Sequence, residues 1–225
     1  MRSIAFALLM MLAAGSASAQ SSDQTNAPER LVERSVLVLD EFLQDPAFEH
    51  MRVYVQNAYG VIVFPRLIKG GFVLGAEGGS GALLVRNIQT GQWSPPVFYD
   101  LFGVSLGLQI GGKASAVVVT IMNSSAIDRI LTNKVKLGAD ASVAAGPVGA
   151  GVGAATTLNF GEDLYVFARA VGAFGGASVE GAGMFGKPGW NELYYGQAVD
   201  VRDVIGGSAV QDQKSMPLRE RLNQF

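Results

Sequence analysis

Apolar residues near the start of the chain keep a helical rhythm. Val32, Val36, Leu39 and Leu43 fall on one stripe, and Glu33, Arg34, Asp40 and Glu41 lie largely off it. Asn26 followed by Pro28 and Glu29 resembles a capping box, so the helix is predicted to begin there. Asp45-Pro46 then reads as the N-cap and first residue of a second helix reaching about Asn57, with Phe48, Met51 and Val55 on its buried side.

From Tyr59-Gly60 onward the rhythm changes. Apolar residues now come in short runs that predict strands over 61–64, 71–75, 82–86, 98–111, 114–122, 136–144, 151–159, 164–174 and 177–184. Val104, Leu106, Leu108 and Ile110 alternate onto one face. Residues 87–92 read as a turn, and 124–131 as one internal helix capped by Ser124 or Ser125. Leu218, Leu222 and Phe225 return to helical spacing at the end. All but three of the 29 glycines lie between 60 and 196. Glycine weakens strands, so this density implies strong bending and close backbone crossings. The expected fold is α+β: a strongly curved, Gly-rich antiparallel β-sheet or small barrel, with two N-terminal helices and one internal helix packed on it.

Composition narrows the chemistry. With 225 residues, 49% of them hydrophobic, the chain has material for one well-buried domain and is too apolar to be disordered. No apolar run reaches the ~18 residues that a membrane-crossing helix needs. A formal charge of −2 gives no field that would draw the chain to nucleic acid, so no nucleic-acid partner is expected. The absence of cysteine removes thiolate chemistry, and a single histidine removes any multi-His metal site. No metal or other cofactor is expected.

Residues 1–19 read as a secretory signal peptide: Arg2 supplies the positive end, residues 4–14 the apolar stretch, and Ala17-Ser18-Ala19 the cleavage pattern. The expected organisation is then a flexible lead-in over 20–27, a single domain over 28–200 and a partly helical tail over 201–225. The expected location is the periplasm or the exterior.

Catalytic motifs fail on inspection. Residues 107–113 spell GxxxxGK, but Ala114 stands where a magnesium-binding hydroxyl belongs, and Val117-Val118-Val119 continues as strand. Residues 103–107 spell GxSxG inside an alternating strand, and the sole histidine, His50, lies upstream. Asp100, Asp128, Asp140, Glu77 and Glu180 show no spacing that singles out an acid–base pair. The chain is not expected to be an enzyme. Trp93 to Tyr99 and Trp190 to Gly196 are aromatic segments expected to staple loops onto the sheet. In residues 64–72, Arg66 and Lys69 stand among Phe64, Leu67 and Phe72, a basic-apolar loop suited to an anionic headgroup at about 1 kcal/mol per cation.

That loop also carries a family likeness. Residues 58–65 (AYGVIVFP) running into 68–72 (IKGGF) resemble the opening signature of the SYLF domain. The likeness continues through 78–81 (GGSG), 105–112 (SLGLQIGG), 136–144 (KLGADASVA) and 175–181 (GGASVEG), and covers about residues 30–198. The resemblance implies a lipid-binding module; eukaryotic members are known for a phosphoinositide preference and, beside SH3 or FYVE modules, for actin binding and bundling. Bacterial members occur as exported stand-alone proteins. The expectation is therefore a non-enzymatic lipid-binding module of the bacterial cell envelope. Arg66, Lys69, Lys113, Lys134 and Lys136 are the expected headgroup contacts, with Phe64, Leu67 and Phe72 as apolar ones. The expected partner is an anionic phospholipid or membrane surface, or an envelope protein; actin is not expected in a periplasmic setting. The alternatives are a structural outer-membrane-associated β-protein and a periplasmic protein-interaction module without lipid binding.

Overall fold

The structure, a computed structural model, describes residues 26–71, 74–106, 111–132, 134–148, 161–170, 181–207 and 211–225. Helix α1 (Ala27–Gln44), a 3-10 turn (Pro46–Phe48) and α2 (Met51–Asn57) lead into four long strands. These are β1 (Gly60–Gly71), β2 (Leu74–Val85), β3 (Val97–Leu106) and β4 (Gly111–Ile121). Helix α3 (Ser124–Leu131), β5 (Lys134–Lys136), β6 (Val143–Ala145), β7 (Leu164–Ala170) and β8 (Gly183–Gly186) follow. Helices α4 (Pro188–Tyr195), α5 (Val201–Ile205) and α6 (Met216–Leu222) come last.

The eight strands form one sheet in the order β5-β8-β3-β2-β1-β4-β7-β6. Its two outermost strands, β5 and β6, are consecutive in sequence. Laid flat, such a sheet would hold its edges roughly 34 Å apart. The link over 137–142 could reach at most roughly 25 Å even if stretched. It is in fact folded into a turn, with Gly138 at φ +86° and the Asp140 amide donating to the Lys136 carbonyl at 2.8 Å. The sheet must therefore curl until its edges meet at that link, giving a half-barrel in an α+β fold.

Both faces of the sheet are buried near the end where α3 sits. Ile62, Phe64, Leu83, Tyr99, Val117, Val119 and Val166 fill the concave side together with Ile127 and Ile130 of α3. Leu137 and Ala141 of the edge-joining link point into the same cluster. Their neighbours Val61, Val63, Leu84, Phe98, Val118, Tyr165 and Phe167 pack on the convex side under α1, α2, α4 and α6. Burial on two faces is why these strands read as continuous apolar runs rather than alternating ones.

Pro65 interrupts a central strand, where proline is normally excluded because it cannot donate to the ladder. The chain absorbs it in a one-residue bulge: the register of β1 slips between Val63 and Ile68 against β2 and between Phe64 and Leu67 against β4. The predicted strand 61–64 is consequently only the first part of a longer strand, whereas the predicted strand 71–75 falls where β1 ends at Gly71 and β2 begins at Leu74. The predicted strand 136–144 divides instead, because the turn at Gly138 is fixed by the Asp140 carboxylate, which accepts the Lys136 amide at 2.7 Å. The sheet is also mixed, since β6 and β7 run parallel.

Helix ends differ from expectation as well. Asn26 makes no side-chain cap on α1. Asn123, not Ser124 or Ser125, caps α3 by accepting the Ala126 amide at 2.8 Å. The second helix breaks after Phe48, whose ring packs edge-on against Phe42 with centroids 4.5 Å apart. Residues 190–195, read as a loop, belong to α4, bounded by Pro188 at its start and left-handed Gly196 at its end. The predicted strand 151–159, the signal segment 1–19 and Phe72 lie outside the described residues.

Among the described residues no helix is long and apolar enough to cross a membrane. A spanning barrel turns its outward face to lipid and pairs every edge. Among the described residues the outward face carries α1, α2, α4 and α6, and β5 and β6 end the sheet.

Candidate functional site

Helix α1 crosses the convex face and divides it. Its first turns stand beside Arg66 and Ser80, and at its far end Glu41 and Asp45 pair with Arg169 of β7 at 2.5 and 3.6 Å. On one side of α1 the face is packed under helices. On the other side it is bare.

The bare side is apolar. Ile68 is 50% exposed, Phe102 54%, Val104 64% and Phe185 38%. The register explains their company. Ile68 pairs with Gly78, Gly78 with Phe102, Phe102 with Gly183, and Gly183 with Lys136. One row further, Lys134 pairs with Phe185, and Phe185 with Asp100. Residues paired across a ladder share a face, so exposed Lys134 and Lys136 flank the phenylalanines on the edge strand. The Phe185 ring lies over Gly183, next to Phe102 on that row: a Cβ on Gly183 would stand 2.7 Å from it. An exposed apolar patch rimmed by cations is a surface for a partner or a membrane.

The sequence-predicted residues separate in this frame. Lys134 and Lys136 sit on the rim. Arg66 is exposed at the bulge and lines a cleft with Arg30, Arg34 and Trp190. Lys69 lies on the concave face, where its ammonium stands 3.6 Å from Glu77; Lys113 is its register partner on β4. Phe64 and Leu67, expected as exposed contacts, are core residues at 0% and 5% exposure: Phe64 follows Ile62 onto the concave side by strand alternation, and the bulge brings Leu67 to the same side. Ile68, Phe102, Val104 and Phe185 are the apolar surface that reasoning from sequence missed. The signal for Phe102 and Val104 was present in the alternation through Val104 and Leu106, but which face met solvent depended on α1.

A polar pin holds the border. Lys187, just ahead of α4, donates to Ser80 Oγ at 3.0 Å and to Asp100 Oδ1 at 2.9 Å, and its ammonium stands 3.7 Å from the Trp190 ring centroid. The Ser80 hydroxyl donates to the same Asp100 carboxylate. Among the described residues no group of His, Asp and Glu side chains is placed to hold a metal ion.

The architecture is thus a half-barrel backed by helices, with a bare apolar face rimmed by two edge cations. The chain belongs to the Ysc84 family: the model described as "Ysc84: Las17-binding protein actin regulator" matches residues 102–225. Similar proteins include the SH3 domain-containing YSC84-like protein 1 of Rattus norvegicus, 29% identical over 172 residues, or 76% of this chain and 50% of that protein. Its Homo sapiens counterpart is 28% identical over 172 residues, with the same coverages of 76% and 50%. LAS seventeen-binding protein 3 of Saccharomyces cerevisiae is 28% identical over 156 residues, covering 68% of this chain and 34% of that protein. The chain thus spans about half the length, or less, of these curated relatives. The SYLF likeness read from the sequence and this family are the same.

Proposed function

We propose that this protein is a non-enzymatic lipid-binding module that docks on anionic membrane surfaces through the bare convex face. Ile68, Phe102, Val104 and Phe185 would enter the interface, with Lys134 and Lys136 meeting anionic headgroups. The observation that carries this reading is the row Ile68–Gly78–Phe102–Gly183–Lys136, which sets exposed apolar side chains and a cation on one face. Partial insertion of apolar groups combined with attraction to anionic lipid is the usual physical basis of such binding. The leader-like residues 1–19 support export, and we place the module in the cell envelope.

The test is co-sedimentation of residues 20–225 with phosphatidylcholine vesicles, with and without phosphatidylglycerol, at two salt concentrations. The expected result is salt-sensitive binding to the anionic vesicles, lost in Phe102→Ser/Phe185→Ser. In Lys134→Ala/Lys136→Ala it should fall by roughly 30-fold at low salt, from about 1 kcal/mol per cation near the surface. Wild-type protein left in the supernatant under all conditions would refute the reading. It would turn attention to a protein partner, the class named in the family's description as a Las17-binding actin regulator.

A further inference from the structure

The bare face carries an acid among its apolar side chains. In the row that begins at Lys134, Phe185 pairs with Asp100, and Asp100 with Ser80. Tyr99 and Leu101 on either side of it point into the concave core, so Asp100 shares the convex face with Phe102. Among the described residues of this row and of the row through Ile68 and Phe102, it is the only carboxylate. Its side chain is 45% exposed. A carboxylate beside an exposed phenylalanine opposes docking twice, because it is costly to desolvate and anionic lipid repels it.

Lys187, just ahead of α4, offsets this charge incompletely. Its ammonium and the Ser80 hydroxyl both meet Asp100 Oδ1, the ammonium at 2.9 Å. Among the described residues Oδ2 accepts no hydrogen bond. The lysine is also the better covered partner, with its side chain 24% exposed and its ammonium 3.7 Å from the Trp190 ring centroid. A surface that approaches the bare face therefore meets more of the anion than of the cation that pairs with it.

We infer that Asp100 limits docking. It is a fixed negative charge inside the docking face that holds attachment to anionic surfaces below what Ile68, Phe102, Phe185 and the edge lysines would give, and Lys187 sets how far. The inference rests on the docking reading above and adds to it the residue that tunes its strength. Like charges set across an interface weaken or reject a partner. A face of apolar side chains and cations alone would hold an anionic surface more tightly, and Asp100 keeps the attachment reversible. A change that draws Lys187 off Asp100 would then release the module, and one that neutralises Asp100 would tighten its hold.

The experiment is co-sedimentation with phosphatidylcholine vesicles that contain phosphatidylglycerol, comparing wild type with Asp100→Asn, Lys187→Gln and the two combined. At low salt Asp100→Asn should bind about fivefold more tightly and Lys187→Gln about fivefold more weakly, the effect of one charge near an anionic surface. The combined variant restores the wild-type balance of charge, so its binding should return close to wild type. High salt should shrink both shifts. Thermal midpoints are read alongside, because a merely structural pin gives another pattern: each single change would lower stability and binding together, and the double would bind no better than Lys187→Gln. That pattern, or no gain in Asp100→Asn, would overturn the inference. The two readings fail distinguishably. Wild type that stays in the supernatant refutes docking and this restraint with it, whereas wild type that binds while Asp100→Asn gains nothing overturns the restraint alone.

Discussion

The Phe64 ring occupies the space that a side chain on Gly81 would need: a Cβ there would stand 2.6 Å from two of its carbons. Strand alternation from Ile62 carries Phe64 into the concave core, and Gly81 on the neighbouring strand lets it in. Gly81→Ala should destabilise the fold by about 1–3 kcal/mol through overpacking, and Phe64→Ala by about 3–5 kcal/mol through a cavity. Combining Gly81→Ala with Phe64→Leu should cost less than the sum of the two changes, because each relieves the other. Urea unfolding of Gly81→Ala, Phe64→Leu and the combined variant reads this directly; strict additivity would mean that the two residues do not share one site.

Lys187 joins α4 to the sheet through Asp100 and Ser80. The group is partly exposed, so solvent weakens the pair. A double-mutant cycle of Lys187→Ala and Asp100→Ala should return a coupling of about 0.5–1 kcal/mol. A coupling of zero would reduce the pin to a surface contact.

Asp163 sits where β7 begins and governs acid stability. Burial pushes its carboxyl up, but hydrogen bonds from Asn123 and the Ser142 amide, with the charge of Arg129, outweigh that and hold it below the usual range. Between its native and unfolded pKa the unfolded chain binds more protons, so stability rises with pH there. This contribution is present above the unfolded value of about 4 and is lost as pH falls through the native one. Asp163→Asn should therefore be less stable at neutral pH and show a shallower loss on acidification. Parallel acid limbs for the two proteins would exclude the assignment.

Tyr99 sets a limit on the alkaline side. Burial against α3 raises its phenol to about 12, partly countered by Arg202, and its hydroxyl donates to the Ile130 carbonyl at 3.3 Å. A raised phenol contributes fully below the unfolded value of about 10 and is lost as pH climbs through the native value. Tyr99→Phe should remove part of the alkaline decline in thermal midpoint. In spectrophotometric titration of the folded wild type Tyr99 should ionise with the late group of phenols that burial also raises, Tyr54, Tyr194 and Tyr195, and Tyr99→Phe should remove one phenol from that group. Ionisation of Tyr99 alongside the exposed phenols would contradict its burial.

Much of the architecture was legible because each long strand carries its own apolar run, and α1 and α6 carry their own stripes. What could not be read were decisions made at a distance. Phe64 and Leu67 look like loop residues beside Pro65 and Arg66, and only pairing to two neighbouring strands turns the proline into a bulge and buries them. Lys134 and Lys136 were legible as cations. Their alignment with Phe185 and Phe102 needed β8, which arrives some fifty residues later in the chain. Trp190 was misplaced as a loop residue although Pro188 and Gly196 mark the limits of α4, because aromatic clustering outweighed the end signals.

The short link from β5 to β6 has a kinetic meaning. Two strands adjacent in sequence find their partners at opposite ends of an eight-stranded order, so neither can nucleate the other. β5 must wait for β8, and the β5–β6 link is in place only once β7 has also joined the central hairpins. Long-range closures of this kind slow folding, because chain entropy is lost before contacts compensate for it. The link then behaves as a latch set last: opening either edge of the native sheet releases the tether on the other, so the two edges should exchange their amide protons together.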